Sequence, residues 1–442
     1  MIAKNEVVGE VLNEQPGQTP TEEPSDQAGG SDEPAAASPI ALNDIRLEEG
    51  ADGVERVAAD EANDAIRTAE RKKSKEVEGA ATKAQVEDKP NPMPKASIQS
   101  LRFTAEQVVT AAYADDLNKL EAKKQVLRWI QRTLTFGVHE LCAEFRRLQL
   151  HYFAQLEVQP CSAKLAEMGV VLWELGRNRY KDVLCQAPYR VRIRWPGRTD
   201  DYVHANYIDT HDHPKRFVCT QGPMERTQLD FWQMVVQEQV ENILMLCQCT
   251  EKGADKCEEY WPYEPAERKA FGDVEITNRA VRPLSLDEAS VRVSHLLVRW
   301  TSPADGVRHE REVRHFQFVD WPDRGVPPCR LTPLLLLANA RTSAKPIVVH
   351  CSAGIGRSGT LAAIDFVVER LKAGLSCVEM GELLFELRKM RAYAVQTDYQ
   401  YLFLHRFLLF YFFEVHPFKE PLGDDLRQKY REFVRQYDLV TA

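Results

Sequence analysis

The chain has 442 residues, 44% of them hydrophobic, and its 57 basic and 66 acidic residues give a formal net charge of −9. This length suits about two or three average domains, and no apolar run is long enough to span a bilayer. The N-terminal sequence lacks the apolar core of a signal peptide, and Ile2 stands where N-myristoylation requires glycine. Ten cysteines without a secretory signal or paired C-x2-C spacing fit a reducing compartment and no structural metal site. We therefore expect a cytoplasmic location, with the nucleus as a possible second one.

The first 95 residues differ from the rest of the chain in charge and composition. They hold 21 acidic and 11 basic residues, so the net negative charge of the chain lies there. They are rich in Pro, Gly, Ser, Glu and Ala and poor in aromatic residues, and such segments cannot bury enough apolar surface to order themselves. We predict a disordered acidic leader over residues 1–95. Its basic cluster "RKKSK", residues 71–75, is either a targeting or binding patch or, as is more common for such runs, a solvated stretch of charge.

Residues 96–135 are predicted to form a helical lead-in. Thr104 to Gln107 read "TAEQ", which is the pattern of a helix capping box. Apolar side chains then recur at helical spacing, at Leu117, Leu120, Val126, Leu127 and Ile130. We expect this segment to pack on the domain that follows rather than to fold alone.

Residues 416–442 are predicted to form a C-terminal helical tail. Its apolar residues at helical spacing are Leu426, Tyr430, Phe433, Val434 and Tyr437. This face could dock on the preceding domain, which we favour, or bind a partner protein. The apolar stretch before the tail, "YLFLHRFLLFYFFEV", contains His405 and Arg406, so it indicates a buried helix and not a membrane span.

The segment "IVVHCSAGIGRSGT", Ile347–Thr360, joins a predicted strand to a predicted helix. The β-branched run before Cys351 is typical of a buried strand, and the helical spacing after Gly359 continues to a stop at Gly374. Small residues and glycines allow successive backbone N–H groups to face inward, and the helix dipole adds positive potential. Such an anion site favours the thiolate of Cys351 over the thiol.

Arg357 follows this cysteine by six positions and carries a planar fork that matches two oxygens of a phosphate. A thiolate nucleophile beside a phosphate cradle predicts covalent phosphoryl transfer. The alternative is a buried cysteine at a strand end with ordinary turn glycines, which would explain an isolated Cys-x5-Arg pair. His350, the glycines and Ser358 in one strand–loop–helix context disfavour that alternative.

Cleavage of a phosphate ester by a cysteine also requires a proton donor for the leaving oxygen. The upstream segment "FVDWPDRGVP" is rich in proline and indicates a constrained loop with a carboxylate at its tip. Asp323 could swing in as the general acid while Trp321 anchors the loop by packing.

These segments resemble the signature motifs of the tyrosine-specific protein tyrosine phosphatases of non-receptor type. Besides "HCSAGIGRSG", the motifs that match in order are "NRYKDV" (Asn178–Val183), "DYVHANYI" (Asp201–Ile208), "TQGP" (Thr220–Pro223), "DFWQMVVQE" (Asp230–Glu238), "EKGADKCEEYWP" (Glu251–Pro262) and "QTDYQYLF" (Gln396–Phe403). The resemblance covers about the full catalytic domain of that family, here residues 136–415. It implies an α/β fold, in which α-helices flank a highly twisted mixed β-sheet and the catalytic loop follows the carboxyl end of a strand.

The resemblance also implies a role for each candidate site residue. In the catalytic set, Cys351 is the nucleophile that forms a phosphocysteine, Arg357 is the phosphate clamp, and Asp323 is the general acid and then the general base. Gln396 and Gln400 are the pair that positions water. The Ser358 hydroxyl stabilises the departing thiolate, and His350 supports the ionised thiol. The supporting set is Glu251, which holds the arginine, Lys256, which meets the acid loop, and Trp321. The loop residues Ser352, Ala353, Gly354, Ile355 and Gly356 would bind the phosphate together with Arg357. No metal or other cofactor is implied.

Tyr180 decides the substrate class under this resemblance. An aromatic wall at the rim makes the pocket deep, so only a phosphate carried on a phenyl ring reaches Cys351, whereas phosphoserine is too short. Asp182 is similar to the carboxylate that accepts hydrogen bonds from the substrate backbone. Without the other motifs, Tyr180 would be interpreted as a half-buried core tyrosine.

Two positions depart from the family pattern. His204 stands where asparagine is typical in "DYxNA", which bears on the support of the recognition loop, and Tyr393 could narrow the pocket entrance. The residues whose loss would mark an inactive relative, Cys351, Arg357 and Asp323, are all present. We therefore expect an active phosphotyrosine phosphatase. The alternatives are a phosphotyrosine-binding scaffold with weak turnover and a Cys-x5-Arg enzyme of broader specificity.

The expected partners are proteins that carry phosphotyrosine. Further protein partners are possible through the acidic leader or the C-terminal helix. We expect neither a nucleic acid partner nor a membrane span.

Overall fold

A computed structural model describes residues 104–152, 172–285, 287–416, 418 and 422–441. These residues belong to one compact unit that spans Pro90–Ala442. The acidic leader over residues 1–95 and its basic cluster at 71–75 lie outside the described residues, so both interpretations stay predictions.

The chain alternates between helices and strands along the unit. The α-helices with both ends described are α1 (Ala105–Leu117), α2 (Leu120–Arg147), α3 (Gln228–Gln237), α4 (Thr332–Ala340), α5 (Arg357–Lys372), α6 (Met380–Met390), α7 (Asp398–Phe410) and α8 (Asp424–Thr441). The strands are β1 (Arg190–Arg192), β2 (Tyr202–Ile208), β3 (Phe217–Thr220), β4 (Asn242–Met245), β5 (Thr250–Glu251), β6 (Ala254–Asp255), β7 (Arg268–Phe271), β8 (Val274–Pro283), β9 (Val291–Thr301), β10 (Arg308–Phe318) and β11 (Ile347–His350). Short 3-10 turns cover Ala187–Tyr189 and Glu225–Thr227, and π-helical turns cover Leu148–Tyr152 and Tyr411–Val415.

Nine of these strands form one mixed sheet in the order β1-β2-β3-β11-β4-β10-β9-β8-β7, while β5 and β6 pair separately. The centre is parallel, since β11 pairs with β3 and β4, and β4 with β10. Every residue of the short strands β3, β4 and β11 is buried, as expected for parallel strands covered by helices on both faces. The expectation of an α/β fold with a twisted mixed sheet flanked by helices is confirmed.

The carboxyl ends of the three central strands meet at one edge of the sheet. Thr220 at the end of β3 and Met245 at the end of β4 both align with His350 at the end of β11. The predicted catalytic loop begins there, where open α/β sheets place their ligands.

Helix α5 continues directly from this loop. The sequence predicted one apolar face, but the helix is buried nearly all round because it lies between the sheet and helices α2, α6 and α7. The buried apolar residues include the predicted Leu361, Ile364, Val367, Val368 and Leu371, and also Ala362, Ala363 and Phe366.

Helix α1 begins at the predicted capping box. The Thr104 hydroxyl accepts from the Gln107 N–H, and the Gln107 side chain accepts from the Thr104 N–H, so this prediction is confirmed. The Asp287 carboxylate also accepts from the Ala105 N–H at 2.9 Å, which ties the first turn to the β8–β9 connection. The prediction was wrong for Leu120, which is 72% exposed because it opens α2 just after the break between the two helices.

Helix α2 crosses residues 135 and 136, with a break in its helical dihedral angles at Gly137, where φ is 68°. It packs on α7 and α8. The Trp129 ring stacks on His405 with 5.6 Å between ring centroids, and its indole N–H points at the Met380 sulfur at 3.4 Å. The N-terminal helices therefore share the core of the unit.

The C-terminal helix α8 docks on the same unit, which is the alternative that we favoured. Tyr430, Phe433 and Tyr437 are buried, and Tyr430 stacks on Phe413 with centroids 4.4 Å apart. Arg406 of α7 donates to the Tyr430 hydroxyl at 3.2 Å. Over the described part of the chain, none of the helices combines the length and the apolar character that crossing a membrane would demand.

Candidate active site

Cys351 follows the last residue of β11 and is 3% exposed. The Gly354 N–H donates to its sulfur at 3.3 Å. Gly354 has a φ of 69°, and a Cβ at this position would lie 2.0 Å from the Thr220 carbonyl oxygen. Only glycine fits there, so the loop packs directly against the backbone at the end of β3.

The carbonyl oxygens of the loop are held by donors from a distant segment. The guanidinium of Arg391 donates to the carbonyls of Ala353 at 3.0 Å and Gly354 at 3.1 Å. The Val395 N–H donates to the Ile355 carbonyl at 3.0 Å. These bonds fix the backbone of the loop before any ligand arrives.

Arg357 opens α5 and is 1% exposed. One terminal nitrogen donates to the Glu251 carboxylate at 2.5 Å and to the Trp321 carbonyl at 2.9 Å, and the other reaches Asp323 at 3.2 Å. Burial opposes the charge, but Cys351 and Glu251 outweigh it and raise the pKa of the guanidinium above its ordinary value. The arginine is therefore a fixed cation beside the sulfur.

Asp323 lies on the loop after β10 and accepts from the Lys256 ammonium at 2.9 Å. Burial would raise the pKa of Asp323, but Lys256 and Arg357 lower it below its ordinary value. Trp321 is buried and packs edge-on against Phe403, with 5.6 Å between ring centroids. Trp321 thus packs into the core, while the Asp323 carboxylate lies between Lys256 and Arg357.

His350 is fully buried and takes part in a chain of three side chains. Its Nε2 lies 2.7 Å from the Tyr260 hydroxyl, which lies 2.7 Å from Nε2 of His315. Burial lowers the pKa of His350 to about 4 and that of His315 well below its ordinary value, so both rings are neutral.

The position of each proton in this chain follows from its partners. Nδ1 of His350 faces the Cys351 carbonyl at 3.3 Å, and a carbonyl only accepts, so this nitrogen carries the proton. Nε2 of His350 must then accept from Tyr260, whose oxygen accepts from His315. Nδ1 of His315 is left without a proton, which agrees with its having no partner among the described residues.

The recognition segment Asn178–Val183 lies beside the phosphate loop. The hydroxyl of Tyr180 is 2.9 Å from that of Ser352. The Asn178 side chain accepts from Tyr202 at 2.5 Å, which holds the start of the segment. Asp182 is exposed, two residues after Tyr180.

His204 connects this segment with the phosphate loop. Its Nε2 donates to the Val183 carbonyl at 2.9 Å, so its Nδ1 accepts from Arg391 at 3.2 Å. Burial, and then Arg391, lower the pKa of His204 to about 3, which keeps the ring neutral. The imidazole thus supplies one donor and one acceptor, the two kinds of group that an asparagine amide also carries.

Gln396 and Gln400 close the pocket from the start of α7. A Cβ on Gly356 would lie 2.9 Å from the Gln400 side-chain oxygen and 3.0 Å from that of Gln396, so both amides contact the phosphate loop. Ser358 is fully buried, and its hydroxyl finds no hydrogen-bond partner in the part of the chain that the structure describes.

Tyr393 lies on the segment before these glutamines. It is 40% exposed and has a φ of 62°, which is strained for a bulky residue. Burial raises its pKa, and the charge of Asp182 adds to the increase. Tyr393 precedes Gln396 by three residues, where we expected a narrower entrance to the pocket.

The structure brings the predicted residues together around the phosphate loop except Asp182, which is exposed and forms no hydrogen bond or ion pair with the site among the described residues, and it adds three that the sequence analysis missed. These are Tyr260, His315 and Arg391, which hold His350 and the phosphate loop. Tyr260 lies within a quoted motif, so the motif could have signalled it. His315 and Arg391 contact the site across tens of residues of sequence, and nothing in their local sequence signals that contact.

Comparison with known proteins agrees with this architecture. The family model described as "Protein-tyrosine phosphatase" matches residues 174–410, more than half of the chain. The chain belongs to the protein tyrosine phosphatase family.

Named relatives and solved structures show the same family. The chain is 37% identical over 237 residues to the tyrosine-protein phosphatase Lar-like of Caenorhabditis elegans. This match covers 52% of this chain and 10% of the relative. It is 34% identical over 254 residues to the human tyrosine-protein phosphatase non-receptor type 9, covering 53% of this chain and 41% of the relative. The chain thus spans less than half the length of these two relatives.

Among solved structures, the catalytic domain of human protein tyrosine phosphatase non-receptor type 18 has a TM-score of 0.54 and 31% identity, and covers 61% of this chain and 95% of its own. A structure of PTPN18 in complex with HER2 phosphopeptides has the same TM-score and identity. The match covers 62% of this chain and 99% of the PTPN18 chain.

Proposed function

We propose that the protein hydrolyses phosphotyrosine in proteins through a phosphocysteine intermediate. The observation that carries this proposal is the convergence of a nucleophile, an anion clamp and an acid. Arg357 opens the helix that follows the Cys351 loop, and its guanidinium reaches Asp323 at 3.2 Å.

In the first step, the Cys351 thiolate attacks phosphorus while Arg357 and the loop N–H groups bind the phosphate oxygens. The bond from phosphorus to the phenolic oxygen breaks, and Asp323 donates its proton to that oxygen. Asp323 must be protonated for this step, although Lys256 and Arg357 favour its anion. A bound phosphate engages Arg357, and this removes one of the two contacts that favour the anion.

In the second step, water attacks the phosphocysteine and the thiolate leaves. Gln396 and Gln400 position the water, and Asp323, now ionised, takes its proton. The Ser358 hydroxyl, which lacks a partner among the described residues, is free to donate to the departing sulfur. Each step uses a side chain of the protein, so the mechanism requires no cofactor.

The substrate class follows from Tyr180. Its hydroxyl is held 2.9 Å from Ser352 of the phosphate loop, so its ring forms a wall beside the sulfur. A phenyl ring can pack on this wall while its phosphate reaches the loop. Phosphoserine is too short to do both.

The second candidate is a binding module that captures phosphotyrosine without appreciable turnover. Tyr393 favours it, because a bulky, 40% exposed side chain three residues before Gln396 can limit access to Cys351. In either case we propose phosphotyrosine-containing proteins as partners and the cytoplasm as the location, with the nucleus as a possible second one.

The test measures phosphate release from a phosphotyrosine peptide and a phosphoserine peptide without added metal. We expect release from phosphotyrosine alone, no release with Cys351→Ser, and a strong reduction with Asp323→Ala. Cys142→Ser, in α2, is the matched control and should retain activity. Folded, reduced protein that binds the phosphotyrosine peptide without releasing phosphate would favour the binding module.

A further inference from the structure

The acid loop carries an exposed arginine directly after the proposed general acid. The Arg324 Cα lies about 3.8 Å from that of Asp323 because the residues are adjacent. Its φ is 56°, and its carbonyl accepts from the Thr397 hydroxyl at 3.2 Å. The main chain at this position is therefore held against the segment that carries Gln396.

The side chain of Arg324, unlike its main chain, is uncommitted. It is exposed, and its guanidinium has no carboxylate partner among the described residues. Two other basic side chains lie beside Asp323, and both form ion pairs. Lys256 pairs with Asp323, and Arg357 pairs with Glu251 and Asp323. Arg324 is close enough to contribute to the lowered pKa of Asp323, after burial and those two cations.

We propose that Arg324 determines peptide specificity by binding an acidic side chain next to the phosphotyrosine. This inference rests on the proposed function. A substrate whose phenolic oxygen reaches Asp323 must carry its peptide backbone along the rim, and Arg324 presents a free charge there. Guanidinium pairs well with carboxylates, so glutamate or aspartate flanking the phosphotyrosine is favoured.

A different role for the same side chain is stacking on the phenyl ring. Stacking would help all phosphotyrosine peptides equally, whereas an ion pair helps only acidic ones. The two roles are therefore separable by comparing peptides within one variant.

The experiment uses the full chain and three phosphotyrosine peptides that differ only in having Glu, Gln or Lys beside the phosphotyrosine. The readout is the ratio of kcat/KM for the Glu peptide to that for the Gln peptide. This ratio cancels any effect of the variant on Asp323 itself. For the wild type we expect a ratio of up to about fivefold for one exposed ion pair, with Lys below Gln.

Arg324→Gln should bring the ratio near unity, and Arg324→Glu should favour the Lys peptide. Salt should reduce the wild-type ratio, since the screening length falls from about 10 Å at 0.1 M to about 3 Å at 1 M. Arg268→Glu is the matched control. Arg268 is exposed and begins β7, the edge strand of the nine-stranded sheet, away from the loop that follows β10, so the ratio should stay at the wild-type value.

A wild-type enzyme that hydrolyses all three peptides equally, or a ratio that survives Arg324→Gln, would overturn the inference. A loss of kcat/KM by the same factor for every peptide would assign Arg324 to ring stacking instead. If the wild type hydrolyses none of the peptides, the proposed function fails, and the inference fails with it.

Discussion

Lys256 and Asp323 form an ion pair that sets the protonation of the proposed general acid. The pair is 2.9 Å long, and it lowers the pKa of the carboxyl against the effect of burial. Asp323 donates a proton only while protonated, so a lowered pKa restricts the first step to lower pH.

Lys256→Met is predicted to extend activity to higher pH. Without the ammonium the pKa of Asp323 rises, and the protonated fraction at a given pH rises with it. The descending limb of the kcat profile should therefore move to higher pH. The measurement is kcat against pH with a phosphotyrosine peptide, and Lys345→Met, before β11, is the control. A limb that stays in place or moves to lower pH would refute this role of Lys256.

Tyr260 shows how a residue outside the pocket can hold it. Its hydroxyl donates to His350 and accepts from His315, both at 2.7 Å. His350 in turn donates to the Cys351 carbonyl. The sequence could not reveal this arrangement, because the three side chains come from β10, β11 and the segment between β6 and β7.

Tyr260→Phe is predicted to destabilise the protein. It leaves Nε2 of His350 without a donor and the Nε2 proton of His315 without an acceptor, and buried polar groups without partners cost about 1–3 kcal/mol each. The free energy of unfolding in urea should therefore fall by about 2–6 kcal/mol for the two groups together. Tyr263→Phe, at a residue that is 37% exposed, is the control. Equal stability of the two variants would contradict a contribution of this hydrogen-bond chain to stability.

At the scale of elements, the sequence predicted what depends on local pattern. The strand at Ile347, the capping box at Thr104 and the helical face of α8 are all present. It did not predict the burial of α5 on nearly all sides. That burial depends on the sheet packing on one side of the helix and on helices α2, α6 and α7 packing on the other. The packing at Gly359 also depends on tertiary structure. The sequence shows the glycine but not the backbone segment that approaches it.

Gly359→Ala is predicted to disturb both stability and catalysis. A Cβ there would lie 2.6 Å from the Val395 nitrogen and 2.9 Å from the Ala394 Cα, and both atoms are backbone. The segment that leads into Gln396 must move, so kcat should fall. The free energy of unfolding should decrease by about 1–3 kcal/mol.

Gly423→Ala is the matched control for this change. No atom of the described residues lies within 4 Å of a Cβ at Gly423, and its φ is not in the left-handed region. Gly423 is the N-cap of α8, where alanine is less favourable than glycine, so stability should fall by no more than about 1 kcal/mol while kcat stays at the wild-type value. Wild-type kcat in Gly359→Ala would show that the contact between α5 and the glutamine segment is not needed for turnover.

At the scale of the molecule, the terminal helices belong to the same core as the catalytic sheet. Helix α2 packs on α5, α7 and α8, and α1 packs on α4, which follows the acid loop. The described residues form one compact unit. The boundaries that we expected at residues 135 and 415 are thus crossed by a helix and by docking contacts, although the domain limits themselves stay predictions.

The last prediction follows from this shared core. Phe433 of α8 is 3% exposed, and its replacement by alanine should cost about 3–5 kcal/mol. Because α8 belongs to the same compact unit as the sheet, the loss of stability should affect the whole unit and not α8 alone. In a denaturant titration, phosphatase activity and tryptophan fluorescence should be lost together, and Phe433→Ala should shift both midpoints by the same amount. Leu439→Ala, at a residue of the same helix that is 70% exposed, should shift neither. Activity that persists after an early fluorescence change in Phe433→Ala would instead show that α8 unfolds on its own.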